Sequence, residues 1–482
     1  MAVLDLPRAA DLTEASWDRA HERMVEDLRQ LIRIPSVNPP DPPGSDGELR
    51  AARWIAGALT EAGLQPTVVE PFPGRGSVAA RLRGDGTGGD PLLLLSHLDV
   101  VPAPAAEWSH DPFGGHLEDG YVWGRGAVDM KNLLAMELAV VRLLAERARA
   151  AGLDPAGDPV PGLRRDVLVV STADEEAGGH EGIGWIVREH PEWLLAAGAL
   201  NESGGFSVEV GGRRLYPIQV AEKGFAVYRI TVHGTWGHGS MPREDNAAVV
   251  AARVIGRLAT PGAPRITDPM RRFLDVLSRH LPPETAKALL ASAMGDGVDP
   301  ARTPDPAAAG LVEPQTARAL QALFRDTISV GVVRAGIKYN VIPGRATIDI
   351  DCRVLPGTSE AQMRADVVDR LGSDLAAVCD VDLIIFGGTV ESSIDTDLYR
   401  VLEATILDHD PDAIPVPTMM PFATDAKHLA ALGVPCYGFS PLLMLPEERY
   451  FERFHGVDER ISLSALRWGL PVLYDAVRRF CG

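Results

Sequence analysis

The sequence predicts an α/β protein: a mainly parallel-sheet domain with a ferredoxin-like βαββαβ unit inserted into it. Three observations carry this. Leu92-Leu93-Leu94-Leu95 and the apolar runs at Asp166–Ser171 and Ala197–Leu200 are continuous, the pattern of strands buried on both faces. Around Ala221-Glu222-Lys223-Gly224 the character changes, and the order strand, helix, strand, strand, helix, strand follows. From about Asp395 the first pattern returns. At 482 residues the chain is too long for one core. The expected division is 1–220 with 393–482 for the larger domain and 221–392 for the insertion.

In chain order, helical periodicity runs from about Thr13 to Ile34, where Pro35 stops it. A turn-rich segment, Ile34 to Pro40, precedes a helix at about Gly47–Ala62. Short strands are expected at Pro66–Glu70 and Ser77–Leu82, then the Leu92 strand. Gly124 to Lys131 leads into a long helix ending near Ala148. Its G-x-G-x-x start resembles a phosphate loop, but Asp129 stands where the last Gly belongs and no apolar strand directly precedes it. In the insertion, Phe225–Val232 alternates as a half-buried strand does. Asn246–Leu258 reads as a helix, Thr327–Val333 and Asn340–Val354 as strands, Ser359–Leu371 as a helix and Val381–Phe386 as a strand. Residues from about 260 to 326 read as an additional helical insertion. A helix to about Leu407, a helix opening at Phe422–Lys427, a strand at Val434–Ser440 and a final helix from Ser462 complete the chain.

The formal net charge is −19, from 47 Lys and Arg against 66 Asp and Glu, which argues against nucleic acid or an anionic membrane as a partner. Cys352, Cys379, Cys436 and Cys481 form no C-x-x-C pair, as expected of a reducing compartment and against a zinc-thiolate site. No signal-peptide pattern or membrane-length apolar run is read, so the expected location is cytoplasmic.

The chemistry sits where the apolar strands end. His97 follows the first, Glu175 and Glu176 the second, and Glu202 the third. Ligands bind in the crevice outside the carboxyl ends of such strands. Asp99, two residues after His97, can hold the other ring nitrogen and fix its tautomer. Adjacent carboxylates in a crevice require a cation or shifted pKa values. With Asp129 and His455, the set His97, Asp129, Glu176, Glu202 and His455 offers two nitrogens and three carboxylates. Such ligands suit Zn²⁺, with Mn²⁺ or Co²⁺ as alternatives. Five ligands exceed the needs of one catalytic zinc and fit two metals sharing a carboxylate. Glu175 is then free to be a general base. No G-x-S-x-G is present for the rival serine chemistry.

These residues fall within stretches that resemble the zinc aminoacylase/carboxypeptidase family, the group of acetylornithine deacetylase, glutamate carboxypeptidase, aminoacylase-1 and carboxypeptidase S. The stretches include Ser96-His97-Leu98-Asp99, Asp129-Met130-Lys131, Asp174-Glu175-Glu176, Asn201-Glu202, Gly237-His238-Gly239-Ser240, Asn340-Val341-Ile342-Pro343-Gly344, Asp351-Cys352-Arg353, Thr424-Asp425-Ala426 and His455-Gly456. They recur in family order over nearly the whole chain. The resemblance implies that His97 and Glu202 hold one zinc, Glu176 and His455 a second, and Asp129, joined to Met130 by a cis peptide, bridges them. It implies Glu175 as base, Asp99 as partner of His97, His238 at the oxyanion, and Arg353 with Asn340 on a substrate carboxylate. The inserted unit would be a lid and dimerisation domain, with His238 reaching the partner's site in a homodimer. The implied activity is metal-dependent hydrolysis of an amide beside a free carboxylate, in N-acyl amino acids first and C-terminal peptide bonds second. A non-catalytic binding relative is the remote alternative. Phe422-Ala423, where the family often has two glycines, leaves the substrate class open, whereas Phe439-Ser440-Pro441 and the long insertion look most like the carboxypeptidase S and N-acyl-amino-acid hydrolase branch.

Overall fold

The computed structural model describes residues 12–40, 42–294 and 320–482. The chain divides into two compact units, one of residues 1–220, 392–418 and 424–482, the other of residues 221–391 and 419–423.

The first unit is a mixed α/β structure around a large sheet. Its strands lie in the order Thr67–Phe72, Arg75–Leu82, Val167–Thr172, Leu92–His97, Gly198–Asn201, Cys436–Gly438 and Arg213–Glu222. The middle is parallel: Leu92–His97 pairs in parallel with Val167–Thr172 and Gly198–Asn201, and Cys436–Gly438 pairs in parallel with Gly198–Asn201. The two strands before Leu92 are antiparallel additions. Leu92, Leu93, Leu94 and Leu95 are all 0 % exposed. Burying each stabilises the fold by roughly 1.5–3 kcal/mol before chain entropy is set against it.

Helix Lys131–Ala150 is buried along most of its length and packs against Glu14–Ile32 and Leu463–Cys481. Glu14–Ile32 begins where the Thr13 side chain accepts from the Ser16 N–H, and it buries Met24, Leu28 and Leu31 at helical spacing. Three features have weak sequence signals. The strands Arg213–Glu222 and Ile414–Met420 contain Pro217 and Pro415 with Pro417, residues that argue against a strand in sequence. A small sheet of His116–Glu118, Tyr121–Trp123 and Arg460–Ser462 is built from three-residue strands. The helix opening after Phe422 spans only Ala426–Leu429.

The second unit holds a four-stranded antiparallel sheet in the order Thr327–Ala335, Arg345–Val354, Gly224–His233 and Cys379–Gly387. Ala226, Tyr228, Ile230 and Val232 alternate into a core shared with Ile348, Ile350 and helices Ala247–Leu258 and Glu360–Ala376. The opposite face is charged: Arg229 donates to both Asp349 oxygens, at 2.7 and 2.8 Å. Pro343-Gly344 divides the expected Asn340–Val354 strand into Val341–Ile342 and Arg345–Val354. Within the helical insertion, helices Asp268–His280 and Pro283–Met294 are present, and residues 295–319 lie outside the described residues. Among the described residues, no helix is long and apolar enough to cross a membrane.

Candidate metal centre

Parallel pairing places the C-terminal ends of Leu92–His97, Val167–Thr172 and Gly198–Asn201 at one edge of the sheet, with His97 opposite Thr172. His97 is thus at the edge, the Asp174–Glu176 turn follows Thr172, and Glu202 follows Asn201. Asp129 arrives from the turn before Lys131–Ala150, two residues ahead of the helix rather than on it, and its peptide bond to Met130 is cis. His455 comes from the turn before Arg460–Ser462.

These segments meet in two groups, His97 with Glu175 and Glu202, and Asp129 with Glu176 and His455, each with ligand atoms within 4.8 Å of one another. Asp129 joins the groups. Its Oδ1 lies 3.2 Å from His97 Nε2 and its Oδ2 3.2 Å from His455 Nε2. Glu202 Oε1 is 3.6 Å from His97 Nε2, and Glu176 Oε2 is 3.2 Å from His455 Nε2. His97 is buried and His455 half exposed at its side chain.

The His97 tautomer follows from its partners. Nδ1 lies 3.1 Å from the Asp99 carbonyl, which can only accept, so Nδ1 carries a proton and Nε2 is the nitrogen that faces the carboxylates, where it donates a proton to Asp129 or, with a cation in place, gives the cation its lone pair. Asp99 does more. Its Oδ1 accepts from the Glu175 N–H at 3.1 Å, and its Oδ2 from the Glu176 N–H at 3.0 Å and from Asn38 Nδ2 at 2.8 Å. Asp99 therefore orients His97 through its carbonyl, with its Oδ1 3.5 Å from the same nitrogen, and the turn bearing the two glutamates through its carboxylate. Burial opposes its charge, yet His97 and Asn38 hold its pKa below the usual carboxylate range.

The electrostatics call for positive charge. Hydrogen bonds with Asp129 and Glu176 raise the His455 pKa to about 10. Burial would lower the His97 pKa, but Asp129 and Asp99 hold it well above the ordinary value. Burial, then Asp129, raises Glu176, and Glu176 Oε1 is buried with no hydrogen-bond partner. A divalent cation fits this donor set of imidazole and carboxylate groups, since it can replace those protons and take up that oxygen.

Lys427 was not picked out by sequence reasoning. It donates to the Thr424 carbonyl at 2.9 Å and stands 3.8 Å from Glu175 Oε1, both side chains being only 10 % exposed. Burial raises the Glu175 pKa well above its ordinary value, and Lys427 opposes that. Asn38, Arg125, Asp425 and Glu459 also serve the site. Asp425 accepts from Thr172 Oγ1 at 2.6 Å, and the Arg125–Glu459 pair grips the Asp129 turn. The Asp425 stretch is among those carrying the family resemblance, but each residue's contact depends on chain distant in sequence.

His238, Asn340 and Arg353 belong to the second unit. His238 Nδ1 accepts from the Ser240 N–H at 3.2 Å, which leaves the proton of a neutral ring on Nε2. The backbone of Gly239 donates to the Asn340 carbonyl at 2.9 Å, bringing His238 and Asn340 close in one small sheet. Arg353, on Arg345–Val354, is paired with Asp351 at 2.9 Å and lies over the Phe225 ring.

A parallel-centred sheet thus gathers, at its C-terminal edge, imidazoles and carboxylates suited to a pair of divalent cations. Comparison places it further: the chain belongs to Peptidase family M20/M25/M40, whose profile matches residues 93–479. Among curated relatives, the N-fatty-acyl-amino acid synthase/hydrolase PM20D1 of Xenopus tropicalis is 28% identical over 96% of this chain and 87% of its own. Aminoacylase-1 of Sus scrofa is 26% identical over 92% of each. Among solved structures, human carnosine dipeptidase 1 superposes with a TM-score of 0.70 at 16% identity, over 98% of this chain and 100% of that one, a likeness of fold.

Proposed function

We propose that this protein hydrolyses N-acyl amino acids through two divalent metal ions, releasing a free amino acid and a carboxylic acid. The observation that carries the reading is the Asp129 carboxylate, whose two oxygens face His97 and His455 at equal distance. His97 and Glu202 hold one ion, Glu176 and His455 the other, and Asp129 spans both. Zinc is the proposed metal, with manganese or cobalt as alternatives. Bound there, the ions supply polarisation of the amide carbonyl and a lowered pKa for water.

Glu175 is the general base. Distance alone would let it act as a ligand, since it lies with His97 and Glu202. The Lys427 ammonium 3.8 Å away favours the base role, because a cation already beside the carboxylate weakens its attraction for a second one. Asp99 keeps His97 in the ligating tautomer. The second unit, whose strand order matches a ferredoxin-like βαββαβ arrangement, acts as lid and dimerisation domain of a homodimer. There the His238 Nε2–H is available to an oxyanion, and Arg353 with Asn340 to a substrate carboxylate. Cytoplasmic residence belongs to the same proposal and rests on four scattered cysteines that form no disulfide among the described residues.

The names of PM20D1 and aminoacylase-1, over nearly the whole chain, support the N-acyl amino acid class. The testing experiment strips the protein with a chelator, restores Zn²⁺, Mn²⁺ or Co²⁺, and assays N-acyl amino acids beside dipeptides. Metal-restored hydrolysis of N-acyl amino acids in preference to dipeptides is expected. The reverse preference would move the assignment to a dipeptidase or carboxypeptidase. Undiminished activity in a preparation free of metal by elemental analysis would refute the metal reading.

A further inference from the structure

Glu459 is 0 % exposed and gathers an unusual number of donors. Its Oε1 accepts from the backbone N–H groups of Gly126, Val128 and Asp129, at 3.0, 2.6 and 3.1 Å. Its Oε2 accepts from Arg125 Nη1 at 2.6 Å. The Glu459 carbonyl accepts in turn from the Gly124 N–H at 2.9 Å. Arg125, only 3 % exposed, also reaches from Nη2 to the His455 carbonyl at 3.3 Å and lies over the Trp108 ring. One carboxylate and one guanidinium thus stitch the turn that delivers Asp129 to the turn that delivers His455, segments remote in sequence.

A purely structural role accounts poorly for these contacts. A buried ion pair contributes little net stability, and well-packed apolar side chains often replace one without loss. Here the carboxylate is also set near Asp129, so its charge adds to the negative charge of the cluster. The arrangement makes sense if the geometry of the turn is what matters. Three N–H groups converging on a single oxygen fix the backbone from which Asp129 projects, and the same ion pair fixes the backbone of His455.

We propose that Glu459, together with Arg125, is a positioning residue that presets the distance between Asp129 and His455 and thereby the affinity of the centre for its second metal ion. The inference rests on the two-metal reading above. The test uses the full chain, freed of metal, titrated with Zn²⁺ against a chromophoric chelator and separately with Co²⁺ to record its visible absorption. Glu459→Gln keeps the size of the side chain but turns a donor toward either the turn or Arg125. It should weaken the second equivalent of Zn²⁺ by about 10–100-fold, the usual scale for partners behind a ligand, and alter the Co²⁺ spectrum of the doubly loaded protein. Arg125→Lys keeps the charge but loses the fork that reaches His455. It should act in the same direction by about tenfold, and it serves as the test if Glu459→Gln does not fold. Zn²⁺ affinities within twofold of wild type and an unchanged Co²⁺ spectrum, in either folded variant, would overturn the proposal, even if the melting temperature of the metal-free protein fell. Failure of the wild type to bind two equivalents would instead overturn the two-metal reading itself.

Discussion

Asp99→Asn isolates one side chain that supports the whole glutamate turn. The native carboxylate presents an acceptor to Glu175 N–H on one oxygen and to Glu176 N–H and Asn38 Nδ2 on the other. An asparagine offers one oxygen and one NH₂, so in either orientation a donor faces a donor. The less costly orientation points NH₂ at Glu175 and leaves that buried N–H unpaired, which costs about 1–3 kcal/mol. The two surviving bonds lose the strengthening that a charged acceptor provides, roughly half their worth. A total of about 2.5–6 kcal/mol follows for the metal-free protein by the same estimates. The turn bearing Glu176 would also be released from its register with His97, so metal affinity should fall about 10–100-fold. Guanidinium unfolding of the stripped protein measures the first quantity and chelator competition the second. An Asp99→Asn protein that binds Zn²⁺ within twofold of wild type would refute the claim that this carboxylate orients the ligands.

Glu175→Gln should lower kcat by at least roughly 10²-fold, the scale of a general base, with metal content near wild type, whereas Glu176→Gln should lose metal. Elemental analysis showing the opposite pattern would exchange the two roles. Arg353→Ala should weaken substrates bearing a free α-carboxylate and leave their amide counterparts, poor for the wild type, nearly unchanged. Its guanidinium already pairs with Asp351, so a substrate carboxylate must compete with that contact, and equal wild-type rates on both substrate types would remove Arg353 from the site. His238→Ala and Glu175→Gln should each be nearly inactive, but if His238 acts on the partner's site, co-expression should restore about a quarter of all sites by two-fold pairing. No recovery in verified mixed dimers would place His238 within its own chain.

Much of the framework is written locally. A run such as Leu92–Leu95 can satisfy its side chains only between two layers, and parallel strands so buried must end together. That alone makes the residues after Ser96, Thr172 and Asn201 neighbours, because sheet geometry carries local pattern into space. The strands containing Pro217, Pro415 and Pro417 escape this logic. Their prolines remove backbone donors, and only pairing with particular neighbours decides that the segments can still extend.

The centre's finer arrangement is of another kind. Sequence order does not say which of four carboxylates stands between two imidazoles, since that depends on where the turns at Asp129 and His455 are held. The holding groups, Asp99 on the glutamate turn, Lys427 beside Glu175, and Glu459 with Arg125 on the Asp129 turn, act across long separations in the chain. A charged residue's own sequence neighbourhood records its type but not its partner. By itself the sequence determined the sheet, its edge and the kinds of ligand atom available there. The tertiary structure alone decided which atoms face one another, because hydrogen bonds and ion pairs act over a few ångströms of space, whatever the distance along the chain.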